Sequence, residues 1–178
     1  MGISRDRYLS KEDIRNLIMA CSDDLKPIMK MALMTGMRKR EILNLKWDQV
    51  DFGHGCIRVL SMKGIHTIPM TKTVRRLLQG LTRNPNIPYV FYDPKTGRPF
   101  RDVSRSFASA CEKANINDPR FRDLRRTFIL YLFSAGHYDL TALEVFGCRN
   151  RYAFARICNF SSKYTAKIIA ALDKLINV

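Results

Sequence analysis

Apolar residues recur at helical spacing along much of the chain, starting near its beginning. Ser10 stands where a helix N-cap belongs, and Glu12 and Asp13 put acids into the first turn. Apolar positions that include Ile14 and Leu17 follow one helical turn apart. The pattern predicts a first helix of about three turns.

A second helix is predicted to open at Asp23 and Asp24 and to stop at Gly36. Glycine suits that position because it readily adopts the left-handed conformation that ends many helices. Gly36 then places Arg38 at the start of a third predicted helix, which runs to about Leu45.

Residues 47–70 show a different pattern, in which β-forming residues are broken by glycines. We predict a small antiparallel sheet of about three strands, with Lys63 and Gly64 at its second turn. Thr71 is expected to cap the helix that follows. Further helices are predicted over residues 103–114, 121–136, 140–146, 151–157 and 163–176. The fold class predicted is therefore mainly α with a small antiparallel β-sheet (α+β).

Charge narrows the possible functions. The 178 residues contain 31 Lys and Arg against 16 Asp and Glu, a formal net charge of +15, while 46% of the residues are hydrophobic. This combination indicates a folded domain that binds a polyanion, with nucleic acid favoured over an anionic membrane. Because neither a signal peptide nor an apolar run of membrane-spanning length is present, we expect a cytoplasmic, DNA-associated protein.

The cysteines predict reduced thiols. They are odd in number and show no Cys-x-x-Cys spacing, so neither a disulfide framework nor a zinc site is indicated. We expect no metal and no other cofactor. The five positions are Cys21, Cys56, Cys111, Cys148 and Cys158.

Arginines gather at the start of the predicted helix at 121–136. Arg122, Arg125 and Arg126 stand there, while Leu124 and Phe128 have the spacing of a core-facing side. A guanidinium group is planar, permanently charged and able to bind phosphate through two hydrogen bonds. The pattern predicts that these cations hold an anionic ligand.

Three stretches resemble the signature boxes of the tyrosine recombinase (phage integrase) family. Residues 35–48 read Thr-Gly-Met-Arg-Lys-Arg-Glu-Ile-Leu-Asn-Leu-Lys-Trp-Asp, similar to the family's Thr-Gly, arginine, Glu and Leu-x-Trp-x-Asp. Residues 123–128, followed by Ser-Ala-Gly at 134–136, resemble its His-x-Leu-Arg-His-Thr-Phe box. Residues 146–161 resemble its Leu-Gly-His segment and the sequence around its nucleophile.

The resemblance implies a single catalytic domain over residues 1–178 with that family's fold, without the N-terminal core-binding domain. In the family, a tyrosine attacks a DNA phosphate and forms a 3′-phosphotyrosyl bond without metal. Two arginines hold the non-bridging oxygens, a His or Trp assists, and a lysine protonates the leaving 5′-hydroxyl. Charge stabilisation of this kind is the main demand of phosphoryl transfer.

By this resemblance Arg38 and Arg125 match the two catalytic arginines, and Lys63 stands close to the catalytic lysine. The segment after Lys63 is about two residues shorter than the family pattern. Glu41, one helical turn after Arg38, is expected to orient it through an i,i+3 contact.

Other positions depart from the family pattern. Arg122 stands where the family usually has His, and Cys148 stands where it has His or Trp. Ile157 stands where the nucleophile belongs. Isoleucine has no nucleophilic atom. Tyr152 lies five residues before that position and Tyr164 seven residues after it.

The sequence thus favours a DNA-binding tyrosine-recombinase-like pseudoenzyme that has lost strand cleavage. One alternative is an active recombinase or integrase that uses Tyr164, or Tyr152, in cis or in trans. Another is a partner-binding scaffold with no DNA role. The expected DNA contacts are Arg38, Lys63, Arg122, Arg125, Arg126, Arg149 and Arg151.

The expected partner is double-stranded DNA. The apolar face of the predicted C-terminal helix, which carries Ile168, Ile169 and Leu172, either closes the domain's own core or docks onto a neighbour. That neighbour is expected to be a second copy of the chain or another recombinase.

Overall fold

The computed structural model of the protein describes residues 8–61 and 64–134. The helices predicted beyond residue 136 lie outside the described residues, as do Lys63, Cys148, Arg149, Arg151, Tyr152, Ile157 and Tyr164. The elements are α1 (Lys11–Ala20), α2 (Leu25–Thr35), α3 (Lys39–Leu43), a 3₁₀ turn (Trp47–Gln49), β1 (Val50–Asp51), β2 (Cys56–Ser61), β3 (Gly64–Pro69), α4 (Lys72–Gln79), α5 (Ser104–Lys113) and α6 (Phe121–Ser134).

Helix α1 begins with a reciprocal cap. The Asp13 amide donates to the Ser10 hydroxyl at 3.0 Å, and the Ser10 amide donates to the Asp13 carboxylate at 2.9 Å. Both bonds satisfy donors that lack partners inside the first helical turn. The predicted N-cap is confirmed, and Ile14 and Leu17 are buried as their spacing indicates.

Helix α2 forms the centre of the core. Its methionines Met29, Met31 and Met34 are buried, and the helix contacts α1, α3, α4 and α6. It ends as predicted at Gly36, whose φ of 61° lies in the left-handed region.

Helix α3 is shorter than predicted. Arg38 is its N-cap and the helix ends at Leu43, where we expected about Leu45. The Asn44 side chain donates to the Arg40 carbonyl at 2.8 Å. The Asn44 backbone amide donates to the same carbonyl, but the Leu45 amide donates to the Ile42 carbonyl, three residues back, so the α-helical ladder ends there.

The predicted three-stranded antiparallel sheet is confirmed, with strand order β1-β2-β3. Ile57 pairs with Ile68 and Leu60 with Ile65. Alternation buries Ile57 and Ile68 on the core side, while Leu60 and Ile65 are exposed on the other. The sheet thus covers the core with one face only.

Helix α4 starts at the predicted cap, because the Val74 amide donates to the Thr71 hydroxyl at 2.9 Å. Helix α6 packs against α2 and holds the start of the described chain. The Leu9 amide donates to the buried Thr127 hydroxyl at 2.9 Å, and the Tyr131 hydroxyl donates to the Leu9 carbonyl at 3.3 Å. Among the described residues, no helix has both the length and the hydropathy to cross a membrane.

Candidate functional site

The turn between α2 and α3 sets the position of Arg38. The buried Thr35 hydroxyl donates to the Met31 carbonyl at 2.5 Å and accepts from the Met37 amide at 3.3 Å. Together with the left-handed Gly36, these bonds fix the chain between the two helices. Arg38 therefore leaves the turn in a defined direction.

Glu41 holds Arg38 at two points. The Arg38 amide donates to Glu41 Oε2 at 2.7 Å, and the Arg38 guanidinium contacts Oε1 at 2.8 Å. The Glu41 side chain is 9% exposed while that of Arg38 is 46% exposed. The predicted i,i+3 contact is confirmed, and it orients a cation that still faces solvent.

The start of α6 has a similar construction. The buried Asp123 accepts the Arg120 amide at 2.8 Å through Oδ2, and the Thr127 hydroxyl donates to the Asp123 carbonyl at 2.7 Å. Leu124 is fully buried, whereas Arg122 is exposed. The apolar side of α6 faces the core, as its spacing predicted.

Arg125 joins the two regions. It is half-buried, and its guanidinium donates to the carbonyl of Gly36, 89 residues earlier in the chain. The same turn that directs Arg38 thus positions Arg125. The two arginines assigned by the sequence boxes therefore lie close to each other.

These residues line a cleft of about 460 Å³ between the α2–α3 turn, the first half of α5 and the start of α6. Arg38, Arg122 and Arg125 all face it, together with Lys39 and Arg120. Within the part of the chain that the structure describes, these five cations favour a polyanion, and a phosphate group matches the arginine donors in charge and geometry.

Lys39 and Arg120 were not predicted from the sequence. Each stands next to a helix start that the sequence boxes already mark, which is the signal that could have found them. Arg126, which we predicted to contact DNA, is not among the described residues that line the cleft. Its guanidinium lies 3.4 Å from Asp123 Oδ1.

An acid, Asp102, pairs with a lysine that lines the cleft. The Lys39 ammonium contacts Asp102 Oδ1 at 2.6 Å and the Ser104 hydroxyl at 3.0 Å. The hydrogen bond from Lys39, followed by that from Ser104, lowers the pKa of Asp102 to about 2. Asp102 is therefore a carboxylate at neutral pH.

Cys21, Cys56 and Cys111, the cysteines among the described residues, are thiols and are not joined in disulfides. Burial raises the pKa of Cys21 to about 11, against a smaller lowering by Lys26. Within residues 8–61 and 64–134, no group of three His, Cys, Asp or Glu side chains is arranged to hold a metal ion.

Comparison with known proteins decides the family. The sequence model of the phage integrase family matches residues 7–150. The chain belongs to the phage integrase family. The resemblance carried by the sequence boxes, and with it the tyrosine recombinase assignment, is confirmed. The matched region ends before Ile157 and Tyr164.

This integrase-family chain matches part of the length of two curated relatives. It is 29% identical over 147 residues to the integrase of Salmonella phage P22, covering 74% of this chain and 38% of that protein. It is 26% identical over 174 residues to a shufflon-specific DNA recombinase of Escherichia coli, covering 95% of this chain and 43% of that protein. The chain thus spans less than half the length of either relative.

Solved structures agree on the fold. The chain matches XerA recombinase with a TM-score of 0.71 at 22% identity, over 92% of this chain and 64% of that one. It matches a lambda integrase dimer bound to a COC′ core site with a TM-score of 0.70 at 19% identity, over 86% of this chain and 61% of that one. The predicted fold class is confirmed.

Proposed function

We propose that this chain binds duplex DNA through a backbone phosphate in the arginine cleft and does not itself cut the strand. The observation that carries the proposal is the convergence of Arg38, Arg122 and Arg125 on one cleft. These residues come from two sequence boxes far apart in the chain, yet their side chains surround the same space. A DNA phosphate satisfies this arrangement better than a neutral ligand does.

The net charge supports the same conclusion. A charge of +15 attracts DNA and releases counterions when lysines and arginines meet phosphates. The names of the relatives agree, since they are an integrase and a DNA recombinase, and one structural neighbour is bound to a core site.

The absence of strand cleavage is proposed from the substitutions at three family positions. The guanidinium of Arg122 has donors and no acceptor with which to take up a proton, and Cys148 offers only a weak donor. Ile157 has no nucleophilic atom. Tyr164 follows it by seven residues, about 10 Å along a helix, whereas catalysis tolerates a misplacement of only about 1 Å.

DNA binding is tested by titrating a labelled duplex at several salt concentrations. Arg38→Ala and Arg125→Ala are each expected to weaken binding on the order of tenfold, because each removes a charged hydrogen-bond donor. The magnitude of the slope of log affinity against log salt should decrease by about 0.9 for each phosphate that is no longer neutralised. The control Arg15→Ala removes the same charge from the exposed side of α1.

Equal weakening by all three variants would mean that general charge, and not the cleft, binds DNA. Unchanged affinity in both cleft variants would also contradict the proposal. No retardation of duplex DNA by the wild-type protein would favour the alternative of a partner-binding scaffold.

The second candidate function is an active recombinase or integrase that uses Tyr164, or Tyr152, in cis or in trans. One observation favours it: the alignment with the shufflon-specific recombinase covers 95% of the chain and therefore includes both tyrosines. A nicked suicide substrate separates the two candidates. An SDS-resistant protein–DNA adduct that Tyr164→Phe or Tyr152→Phe abolishes would establish cleavage, and its absence supports the DNA-binding pseudoenzyme.

Self-association through the C-terminal helix is part of the same proposal, and the lambda integrase neighbour is a dimer. Light scattering in the presence and absence of duplex DNA measures it. Replacing Leu172 with Glu is expected to reduce any oligomer to the monomer, because a charge is costly in an apolar interface.

A further inference from the structure

Asp102 lies at the rim of the arginine cleft and contacts two of its lining residues. A single oxygen, Oδ1, accepts from the Lys39 ammonium at 2.6 Å and from the Ser104 hydroxyl at 2.9 Å. The same oxygen accepts the Val103 amide at 2.9 Å and the Ser104 amide at 3.3 Å. Lys39 and Ser104 both line the cleft.

The carboxylate is the fixed member of this ion pair. Bonds to backbone amides at the start of α5 hold Asp102 in place, and the pKa of Asp102 near 2 keeps it ionised. Lys39 reaches it through a flexible four-carbon chain. The side chains of Lys39 and Asp102 are 34% and 55% exposed, so an arriving phosphate would meet both.

Charge at the rim therefore depends on the pair and not on Lys39 alone. A phosphate that contacts the Lys39 ammonium is brought close to the Asp102 carboxylate, which lies 2.6 Å from the same nitrogen. The phosphate and the carboxylate would then both lie near one ammonium group, and the repulsion between these two anions offsets the attraction to Lys39. A lysine that is already neutralised by a carboxylate also releases few counterions from the DNA when it contacts a phosphate.

We propose that Asp102 withholds Lys39 from DNA, so that the cleft binds one phosphate fewer than its cations would allow. Asp102 is then an affinity-limiting residue of the DNA-binding surface. The inference rests on the proposed function, because it requires the cleft to hold DNA phosphates.

The test measures the salt dependence of duplex binding for two variants. Asp102→Asn keeps an oxygen that can accept the Val103 and Ser104 amides, and it removes the charge that neutralises Lys39. We expect the magnitude of the salt slope to rise by about 0.9 and affinity at about 0.1 M salt to rise on the order of fivefold. The double variant Lys39→Met/Asp102→Asn removes both charges and should return to the wild-type slope.

The opposite outcome is equally distinct. If Lys39 already contacts a phosphate, Asp102→Asn leaves the slope unchanged and the double variant loses about 0.9 relative to wild type. That result would overturn the proposal. Thermal unfolding of each variant shows whether the start of α5 keeps its stability.

Asp23→Asn is the matched control. Asp23 also faces a lysine, Lys26, at 3.9 Å, but it precedes α2, whereas the cleft lies beyond the other end of that helix. The 11 residues of α2 separate the two ends by about 16 Å. A gain in affinity equal to that of Asp102→Asn would attribute the effect to net charge and contradict the proposal.

The Arg38→Ala variant distinguishes a failure of the role of Asp102 from a failure of the cleft as the DNA site. If Arg38→Ala weakens binding and Asp102→Asn has no effect, only the role of Asp102 fails. If Arg38→Ala and Arg125→Ala bind as tightly as wild type, the cleft itself is not the DNA site.

Discussion

The starts of α3 and α6 are stabilised by the same kind of hydrogen bond. In each, an acid accepts the backbone amide of the residue three positions before it. Glu41 accepts the Arg38 amide at 2.7 Å, and Asp123 accepts the Arg120 amide at 2.8 Å. Each helix start thereby presents an arginine to the same cleft.

The two regions differ in what the second carboxylate oxygen does. In Glu41 it contacts the cleft arginine Arg38 itself, whereas in Asp123 it lies near Arg126. Arg125, one of the two α6 arginines that line the cleft, donates instead to the Gly36 carbonyl of the other region. The contacts of Arg38 with Glu41 are therefore local, while the contact of Arg125 with Gly36 requires α2 and α6 to be packed together.

The largest expected effect comes from removing the acid of α6. Asp123→Ala should lower the free energy of unfolding by about 2 kcal/mol, near the upper end for a lost helix cap, because this carboxylate is buried. Urea denaturation measures the change. Asp13→Ala removes the corresponding acid of α1, whose bond is exposed, and should cost about 0.5–1 kcal/mol.

Equal losses for Asp13→Ala and Asp123→Ala would show that burial adds nothing to the cap of α6. Asp123→Asn keeps an oxygen that can accept the Arg120 amide and should retain most of the stability. These variants separate the hydrogen bond from the charge.

The second-largest effect is expected when the contact between Gly36 and Arg125, which joins the two regions, is disturbed. Gly36→Ala places a side chain at a φ of 61°, which costs about 1 kcal/mol. It should also shift the carbonyl that Arg125 binds, so DNA affinity should fall along with stability. In Gly53→Ala, the control, φ is not positive and the new Cβ meets Asp51 at an ordinary 3.4 Å, so stability should change by less than about 0.5 kcal/mol.

A loss of stability with full DNA affinity in Gly36→Ala would mean that the Gly36 carbonyl does not position Arg125. Loss of both, with neither lost in Gly53→Ala, would support the coupling of the two regions.

Local contacts are the part of this molecule that sequence could predict. The Ser10 cap, the helix end at Gly36 and the contact between Arg38 and Glu41 all join residues within one helical turn. Each follows from spacing and residue type alone. The three-stranded sheet followed from its glycine-broken β-formers in the same way.

Long-range polar contacts could not be predicted. Arg125 and Gly36 are 89 residues apart, and Lys39 and Asp102 are 63 apart. The pattern marked Arg125 as a phosphate ligand, but nothing in it shows which carbonyl holds the side chain. The early end of α3 was missed for a local reason, because the Leu45 amide donates to the Ile42 carbonyl, three residues back, and does not continue the α-helical ladder.

The smallest expected effect tests local orientation directly. Glu41→Gln keeps an oxygen for the Arg38 amide but removes the charge that holds the guanidinium, so stability should change by less than about 1 kcal/mol. Removing an anion should by charge alone tighten DNA binding. We expect instead a loss on the order of threefold, because Arg38 loses its orientation when a charged hydrogen bond becomes a neutral one.

Whether Glu41→Gln tightens or weakens DNA binding decides between the effect of charge and the effect of Arg38 orientation. Asp123→Asn is the matched comparison, since it removes the same charge from the other helix start while its partner, Arg126, lies outside the described lining of the cleft. Binding should be unchanged or slightly tighter in Asp123→Asn and weaker in Glu41→Gln. Tighter binding in both variants would mean that Glu41 acts on DNA only through its charge, and local orientation of Arg38 would then contribute nothing.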